Sequence, residues 1–311
     1  MKGHGLARDG RILFVTLSNI GDLVMTTPLL TTLHNLYPNH LVDIVADRRS
    51  GELLRACPYV GDILWKDKRS SWVQSWRFLK KIRRQYYDLV IDLRGPTIAF
   101  LSRAKRKGLK KKRTQNMHAV EHHFTALSGL VSSSNIPPTK LWLPIEEQPH
   151  LDSVYFDLVK GKRMLALAPG ANWPGKIWHL SAYTKLINLL TEEFDGACLL
   201  GGPNDVQRSE EILQGANLPT YNLCGTTSLL ETARCLAGAK AFVGNDSGVG
   251  HMAAALSIPT LTVFGEGEPN RYRPWGDRAK IILSPEKDLV KLPAESVAQA
   301  LREHLEALKL T

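Results

Sequence analysis

The chain has 311 residues, enough for two domains with full cores or for one large one. Its 43% hydrophobic and 23% charged content is that of an ordinary soluble globular protein, and no apolar run approaches the ~20 residues needed to span a bilayer. A formal charge of +10 implies an anionic partner, without saying whether that is nucleic acid, a membrane or a phosphorylated small molecule.

Met1 to Gly10 leads into a short apolar stretch with no small-residue cleavage site behind it, so no signal peptide is expected. Cys57, Cys198, Cys224 and Cys235 lack metal-ligand spacing, and three of them sit in apolar stretches. They read as buried reduced thiols of a cytoplasmic protein.

Taken in chain order, the first half alternates strand-like and helix-like segments. Ile12–Leu17 reads as a strand and Asp22–Leu36 as one helix ended by Tyr37-Pro38. Leu41–Ala46 is a strand, with a short helix around Gly51–Ala56. Trp72–Gln85 is a basic amphipathic helix and Tyr87–Leu93 a strand. Ser133 to Gln148, with Pro137, Pro138 and Pro144, reads as the interdomain region, followed by a helix from about His150 to Lys160. The second half restarts the rhythm. Strands are expected at Met164–Ala168, Ala197–Gly201, Ala241–Gly244, Thr260–Phe264 and Ile281–Leu283. Helices are expected at Ser181–Glu193, Glu210–Gln214, Leu229–Ala237, Met252–Leu256 and Ala294–Leu308. Such alternation predicts an α/β fold of two doubly wound parallel sheets facing a cleft, with a boundary between residues 149 and 150.

Three segments carry chemistry. In the first, Leu17-Ser18-Asn19-Ile20-Gly21-Asp22, an apolar strand meets a small polar turn ending in a carboxylate, where open α/β sheets place their ligands. A lone Asp in a turn is equally a cap or loop residue. The second runs from Phe242 through Gly244-Asn245-Asp246-Ser247-Gly248-Val249-Gly250-His251 to Leu256. A helix starting near Ser247 would aim backbone N–H groups of Ser247, Gly248 and Val249 at an anion. The competing reading makes Asp246 the N-cap and the glycines packing residues. In the third, Ala168 to Trp178, a loop following the first strand of the second half carries Lys176, which is either solvated surface or an ammonium delivered to a phosphate.

Together these segments resemble the ADP-heptose–lipopolysaccharide heptosyltransferase family over nearly the whole chain. The resemblance rests on Ser18-Asn19-Ile20-Gly21-Asp22 with Thr27-Pro28-Leu29-Leu30, on Tyr87-Asp88-Leu89-Val90-Ile91-Asp92-Leu93-Arg94-Gly95, and on Asp246-Ser247-Gly248 with His251, Ala253-Ala254-Ala255-Leu256 and Pro259-Thr260. It implies an inverting glycosyltransferase of GT-B architecture, with Rossmann-like domains. Residues 1–149 would bind the acceptor and carry the base. Residues 150–311 would bind the nucleotide sugar, and the terminal helix would pack back on the first domain.

The resemblance makes Asp22 the catalytic base. It gives the donor diphosphate to Lys176, Ser247, Gly248 and Val249, with a further donor from His251 if that ring is not simply a core histidine. Asp246 would orient Lys176 or bind sugar hydroxyls. A carboxylate at a helix N-terminus is favoured in its ionised form and makes a weak base, which late proton transfer tolerates. No metal or other cofactor is expected, since Lys176 and the helix would hold the leaving group. Asp205 and, less well, Glu231 are candidates for the nucleoside, although both also read as surface acids.

Ser102 to Arg113 carries eight basic residues and no acid. It reads either as a solvated loop or as a contact to an anion. In the family this stretch faces an anionic lipid-linked core oligosaccharide at the inner face of the cytoplasmic membrane. Ser18, Asn19, Arg94, Lys110, Lys111 and Lys112 are therefore the acceptor candidates. Two departures from the family pattern put the donor sugar in question: Gly250 before the His, and Gly265-Glu266-Gly267-Glu268-Pro269 after the final strand. The alternatives are a related transferase using another nucleotide sugar or a protein acceptor, and a basic nucleic-acid-binding protein. No zinc spacing or aromatic RNA-binding motif supports the last.

Overall fold

The computed structural model of the protein describes residues 10–66, 71–131, 135–144, 155 and 159–309. The chain forms two compact units, Met1–Trp142 and Leu143–Thr311. The helix expected from His150 to Lys160 and the expected boundary at 149/150 lie largely outside the described residues.

In the first unit, β1 (Gly10–Val15), β2 (His40–Ala46), β3 (Val60–Trp65), β4 (Tyr86–Asp92) and β5 (Arg103–Leu109) pair in parallel, in the order β3-β2-β1-β4-β5. The helices are α1 (Ile20–Val24), α2 (Thr27–Leu36), α3 (Arg48–Gly51), α4 (Trp72–Arg84), α5 (Pro96–Leu101) and α6 (Ala119–Phe124). The central strands are apolar without alternation because both of their faces are covered, as parallel sheets require. Leu13, Val15, Val45, Tyr87 and Val90 form part of that core, with Ile82 of α4 and Ile98 of α5 against it.

Three expectations for this unit are corrected. The single helix from Asp22 to Leu36 is two, α1 and α2, broken at Met25-Thr26. Pro28 has no N–H to donate to Val24, and the hydroxyls of Thr26 and Thr27 cap the carbonyls of Leu23 and Val24 instead. The basic stretch after Ser102 is not wholly a loop, because Arg103–Leu109 forms the edge strand β5. Lysines on an exposed edge are a common guard against edge-to-edge pairing. The strand β3 was not expected, since Gly61 and Asp62 interrupt its apolar pattern. It is held by the buried Asp43, which accepts from the Asp62 N–H at 2.9 Å and from Arg11 Nη1 at 2.8 Å.

In the second unit, β6 (Met164–Ala168), β7 (Gly196–Leu199), β8 (Thr220–Asn222), β9 (Ala241–Asn245), β10 (Thr260–Phe264) and β11 (Ala279–Leu283) pair in parallel in the order β11-β10-β9-β6-β7-β8. Its helices are α7 (Leu180–Leu189), α8 (Val206–Gln214), α9 (Leu229–Ala237), α10 (Gly248–Ala255), α11 (Pro269–Tyr272) and α12 (Ala294–Lys309). Trp178, Tyr183, Leu186 and Phe194 fill the core, and α12 adds Val297, Ala298 and Leu301 to it. The described face of the terminal helix thus packs within its own unit. All four cysteines are buried free thiols, and burial pushes those of Cys57, Cys198 and Cys224 up to about 11. Among the described residues no helix is long and apolar enough to cross a membrane.

Both sheets share one topology. Numbered within its own unit, each starts at a central strand, runs outward to one edge, and returns to build the other side. The switch points are β1/β4 and β6/β9, and such sheets take ligands outside the carboxyl ends of the strands at these points.

Candidate functional site

At the first switch point, register brings Val15, Asp92 and Leu109 side by side. The residues that follow them, the Ser18–Asp22 turn, Arg94 and Lys110, therefore share one edge. Asn19 Nδ2 donates to Asp22 Oδ2 at 2.9 Å, so one candidate residue orients another. The Ser18 carbonyl accepts from Ser50 Oγ at 2.9 Å. The Arg94 guanidinium turns inward, its Nε donating to the Thr16 carbonyl at 2.7 Å. Burial pushes it below its ordinary range, while Asp47 and Asp92 act the other way. Asp92 is a positioning residue that sequence reasoning missed. Its buried carboxylate accepts from the N–H groups of Arg94, Gly95 and Ala99, fixing the loop after β4.

The three lysines of the basic run separate. Lys110 is half-buried, and desolvation lowers its ammonium while the charges of Asp22 and Asp92 raise it. Lys111 and Lys112 are exposed, and Lys111 contributes its backbone N–H to Thr125 Oγ1 at 2.9 Å. Burial, followed by the charge of Lys110, pushes His123 on α6 down to about 3, so that ring stays neutral. The Lys110 ammonium therefore belongs with Asp22 rather than with the surface lysines that follow it.

At the second switch point, Ala168 of β6 lies beside Gly244 of β9, so the loops after them start together. Asn245, fully buried, ties these loops. Its Nδ2 donates to the Pro169 carbonyl at 2.8 Å, and its Oδ1 accepts from the Trp178 N–H and the Tyr183 hydroxyl, both at 3.0 Å. Trp178 is anchored in turn by its Nε1, which donates to the Leu292 carbonyl at 3.0 Å. The loop so held delivers Lys176, whose Nζ donates to Asp246 Oδ2 at 2.5 Å. Asn245 and Trp178 were not singled out from the sequence. A polar residue closing an apolar strand, and a Trp two residues past a loop Lys, were the available signals.

Asp246 is not the cap of α10. Ser247 is the N-cap and makes no side-chain capping bond, while Asp246 is paired with Lys176. Gly248 and Val249 open the helix. The Ser247 hydroxyl is buried without a hydrogen-bond partner among the described residues. His251 lies on the buried side of α10, 5% exposed. Gly250 is buried as well, and a methyl there would meet only ordinary contacts, from Thr262 and Phe242. A side chain at Gly267 would press on Asp246 Oδ2, so the turn after β10 backs directly onto the Lys176–Asp246 pair. Glu266 and Glu268 themselves are exposed.

The nucleoside candidates fare differently. Asp205 accepts from the Gly202 N–H at 2.9 Å and from Arg208 Nη1 at 3.1 Å, and it lies against Gly170 and Gly201 at the strand ends. Glu231 completes a capping box on α9, accepting from the Ser228 N–H at 2.7 Å while Ser228 Oγ accepts from its own N–H at 3.2 Å. That structural task explains a carboxylate at this position. Among the described residues no cluster of His, Cys, Asp and Glu is arranged to hold a metal ion.

The family model for glycosyltransferase family 9 (heptosyltransferase) matches residues 75–301. The chain belongs to that family. Lipooligosaccharide heptosyltransferase 2 of Haemophilus influenzae is 27% identical to it, over 90% of each chain. The fold matches two solved heptosyltransferase structures. One is E. coli ADP-heptose lipopolysaccharide heptosyltransferase II, with a TM-score of 0.80 and 23% identity over 96% of this chain and 99% of that one. The other is E. coli heptosyltransferase WaaC with ADP, with a TM-score of 0.78 and 22% identity over 94% and 99%. The protein is thus a glycosyltransferase with the GT-B pair of Rossmann-like domains.

Proposed function

We propose that this family 9 enzyme transfers a heptose from ADP-heptose, with inversion, to the inner core oligosaccharide of lipopolysaccharide. The observation that carries the reading is the second switch point. There a loop ammonium, a nearly buried carboxylate and an uncapped glycine-bearing helix start form a site for a diphosphate. The E. coli relative solved with ADP supports an adenine nucleotide as the leaving group.

In this mechanism Asp22 removes the proton from an acceptor hydroxyl. The oxygen attacks the anomeric carbon on the face opposite the diphosphate, and the bond from that carbon to the diphosphate oxygen breaks. Lys176 and the N–H groups of Ser247, Gly248 and Val249 take up the charge that develops on departing ADP. Asp246 fixes Lys176, and Asp205 meets the ribose. Lys110, within the field of Asp22, meets the acceptor's phosphate or carboxylate groups, and Arg94, on the same sheet edge, adds positive charge behind it. The protein works at the inner face of the cytoplasmic membrane, where its lipid-linked acceptor lies. With the leaving group held by Lys176 and the helix, EDTA leaves turnover intact.

The test is incubation with ADP-heptose and a truncated core lipopolysaccharide, followed by mass measurement. A gain of one heptose on the acceptor is the expected result. No gain with ADP-heptose, together with gain from another nucleotide sugar, assigns a different donor, for which the exposed Glu266 and Glu268 beside Asp246 are the place to look.

A further inference from the structure

The first unit has an outer face that the chemistry above does not use. On α4, Trp72, Trp76 and Lys80 recur at four-residue spacing and Arg83 falls on the same stripe, while Phe78 and Ile82 turn inward to the core. Trp72 is 81% exposed, Trp76 59% and, on neighbouring α5, Phe100 65%. Arg83 Nη1 donates to the Leu101 carbonyl at 2.9 Å, which joins the end of α5 to α4. Two of the three rings stand beside a cation: Lys80 Nζ is 5.3 Å from the Trp76 ring and Lys107 Nζ of β5 is 5.1 Å from the Phe100 ring. The elements α4, α5 and β5 contain no acidic residue.

We infer that this face is a docking surface for an anionic lipid bilayer. Three large rings left in water on two linked helices make a surface of the kind that marks an interaction site. Their chemistry selects the partner. Trp favours the headgroup level, amphipathic helices with basic polar positions lie in the interface plane, and each nearby Lys or Arg adds about 1 kcal/mol toward an anionic leaflet. The patch lies on the outer side of a helix and on an edge strand free of acids, which suits a broad negative surface. The inference deepens the membrane partner named above, and it stands whether or not the transferred sugar is heptose.

Flotation with vesicles tests it. The intact protein should float with phosphatidylcholine–phosphatidylglycerol vesicles, stay behind with pure phosphatidylcholine, and show a blue-shifted tryptophan emission when bound. The Trp72→Ser/Trp76→Ser variant and the Lys80→Glu/Lys107→Glu variant should each lose roughly tenfold or more in partitioning. Both should keep their thermal transition and full transfer to a lipid-free acceptor, which separates loss of docking from loss of fold or of catalysis. Undiminished flotation of both variants overturns the inference. So does a fall in transfer to the lipid-free acceptor, which would make the face an acceptor subsite. A wild-type dimer that Trp72→Ser/Trp76→Ser converts to a monomer overturns it in favour of a contact between copies.

Discussion

The two units share a topology and divide the charge unequally. Through Trp142 the chain carries 24 basic and 10 acidic residues, a formal +14; from Leu143 it carries 16 and 20, a formal −4. Yet the diphosphate site proposed above belongs to the unit with net negative charge. Anion binding there is a matter of placement: one ammonium fixed by one carboxylate, beside the N–H groups that open α10. In the first unit, charge acts collectively, through a basic edge strand and a basic helix. On the proposed reading, overall charge locates the partner that arrives as a surface, whereas local dipoles locate the small anionic ligand.

The sharpest way to break this division is to compare one residue from each unit. Asp22→Asn should cut turnover by about a thousandfold or more while leaving ADP affinity unchanged, since general-base catalysis contributes roughly 10²–10⁴-fold. Lys176→Ala should weaken both ADP binding and turnover. Calorimetric titration with ADP beside a turnover assay reads the two. If Asp22→Asn weakened ADP as much as Lys176→Ala does, the assignment of base to one unit and donor to the other would be wrong.

Next in size is Asn245→Ala, which tests placement directly because it removes no charge. It would strand the Trp178 N–H and take the donor from the Pro169 carbonyl, while the Tyr183 hydroxyl keeps the Ala168 carbonyl as acceptor, at a cost of about 2 kcal/mol in stability. It should also loosen the loop that carries Lys176, so ADP affinity falls with it. Chemical denaturation and ADP titration of the same sample check both effects.

His123 gives the first unit a pH dependence. Its folded value of about 3 lies below the ordinary 6.5, so the unfolded chain takes up the proton first as pH falls. The stability from the neutral ring is whole above pH 6.5 and is lost progressively toward pH 3. By pH 5 the loss is about 2 kcal/mol. Denaturation midpoints at pH 7 and pH 5 should differ for the wild type and differ less for His123→Leu.

Lys110→Ala alone should raise the acceptor KM about tenfold, as expected for one charge-assisted contact. The Lys111→Ala/Lys112→Ala pair should change it little, being exposed. Steady-state kinetics at saturating donor decides between them. An equal effect from both variants would return Lys110 to the collective field of its unit.

This contrast also shows what could be read from the sequence. The apolar strands β1, β4, β6, β9 and β10 were legible because burial on both faces writes an unbroken apolar run. The turn after β1 and the start of α10 were legible because small polar residues closing such a strand are uncommon. The strand β5 was not, because an edge strand is defined by its neighbour's hydrogen bonds and can be built from lysine and arginine. Short β8 and gapped β3 failed for the same reason. The pairing of Lys176 with Asp246, 70 positions apart, was foreseen only as one option, and the buried hubs Asn245 and Asp92 were not foreseen. Their partners are backbone groups of distant loops, which no local pattern records.

Glu231 supplies the smallest and most discriminating comparison, because it sits in the unit proposed to bind the donor and already has a capping task there. Its carboxylate closes the capping box of α9, so Glu231→Ala should cost about 1 kcal/mol of stability through the exposed Ser228 N–H. ADP affinity should stay at the wild-type value. Asp205→Ala also removes a cap, that of the Gly202 N–H, but beside Gly170 and Gly201 at the strand ends it should lower ADP affinity as well. If Glu231→Ala weakened ADP binding while stability held, the capping box would be incidental and the ribose would belong to Glu231. The identity of the acid at the nucleoside is thus decided by which variant moves the binding isotherm and which moves only the melting curve.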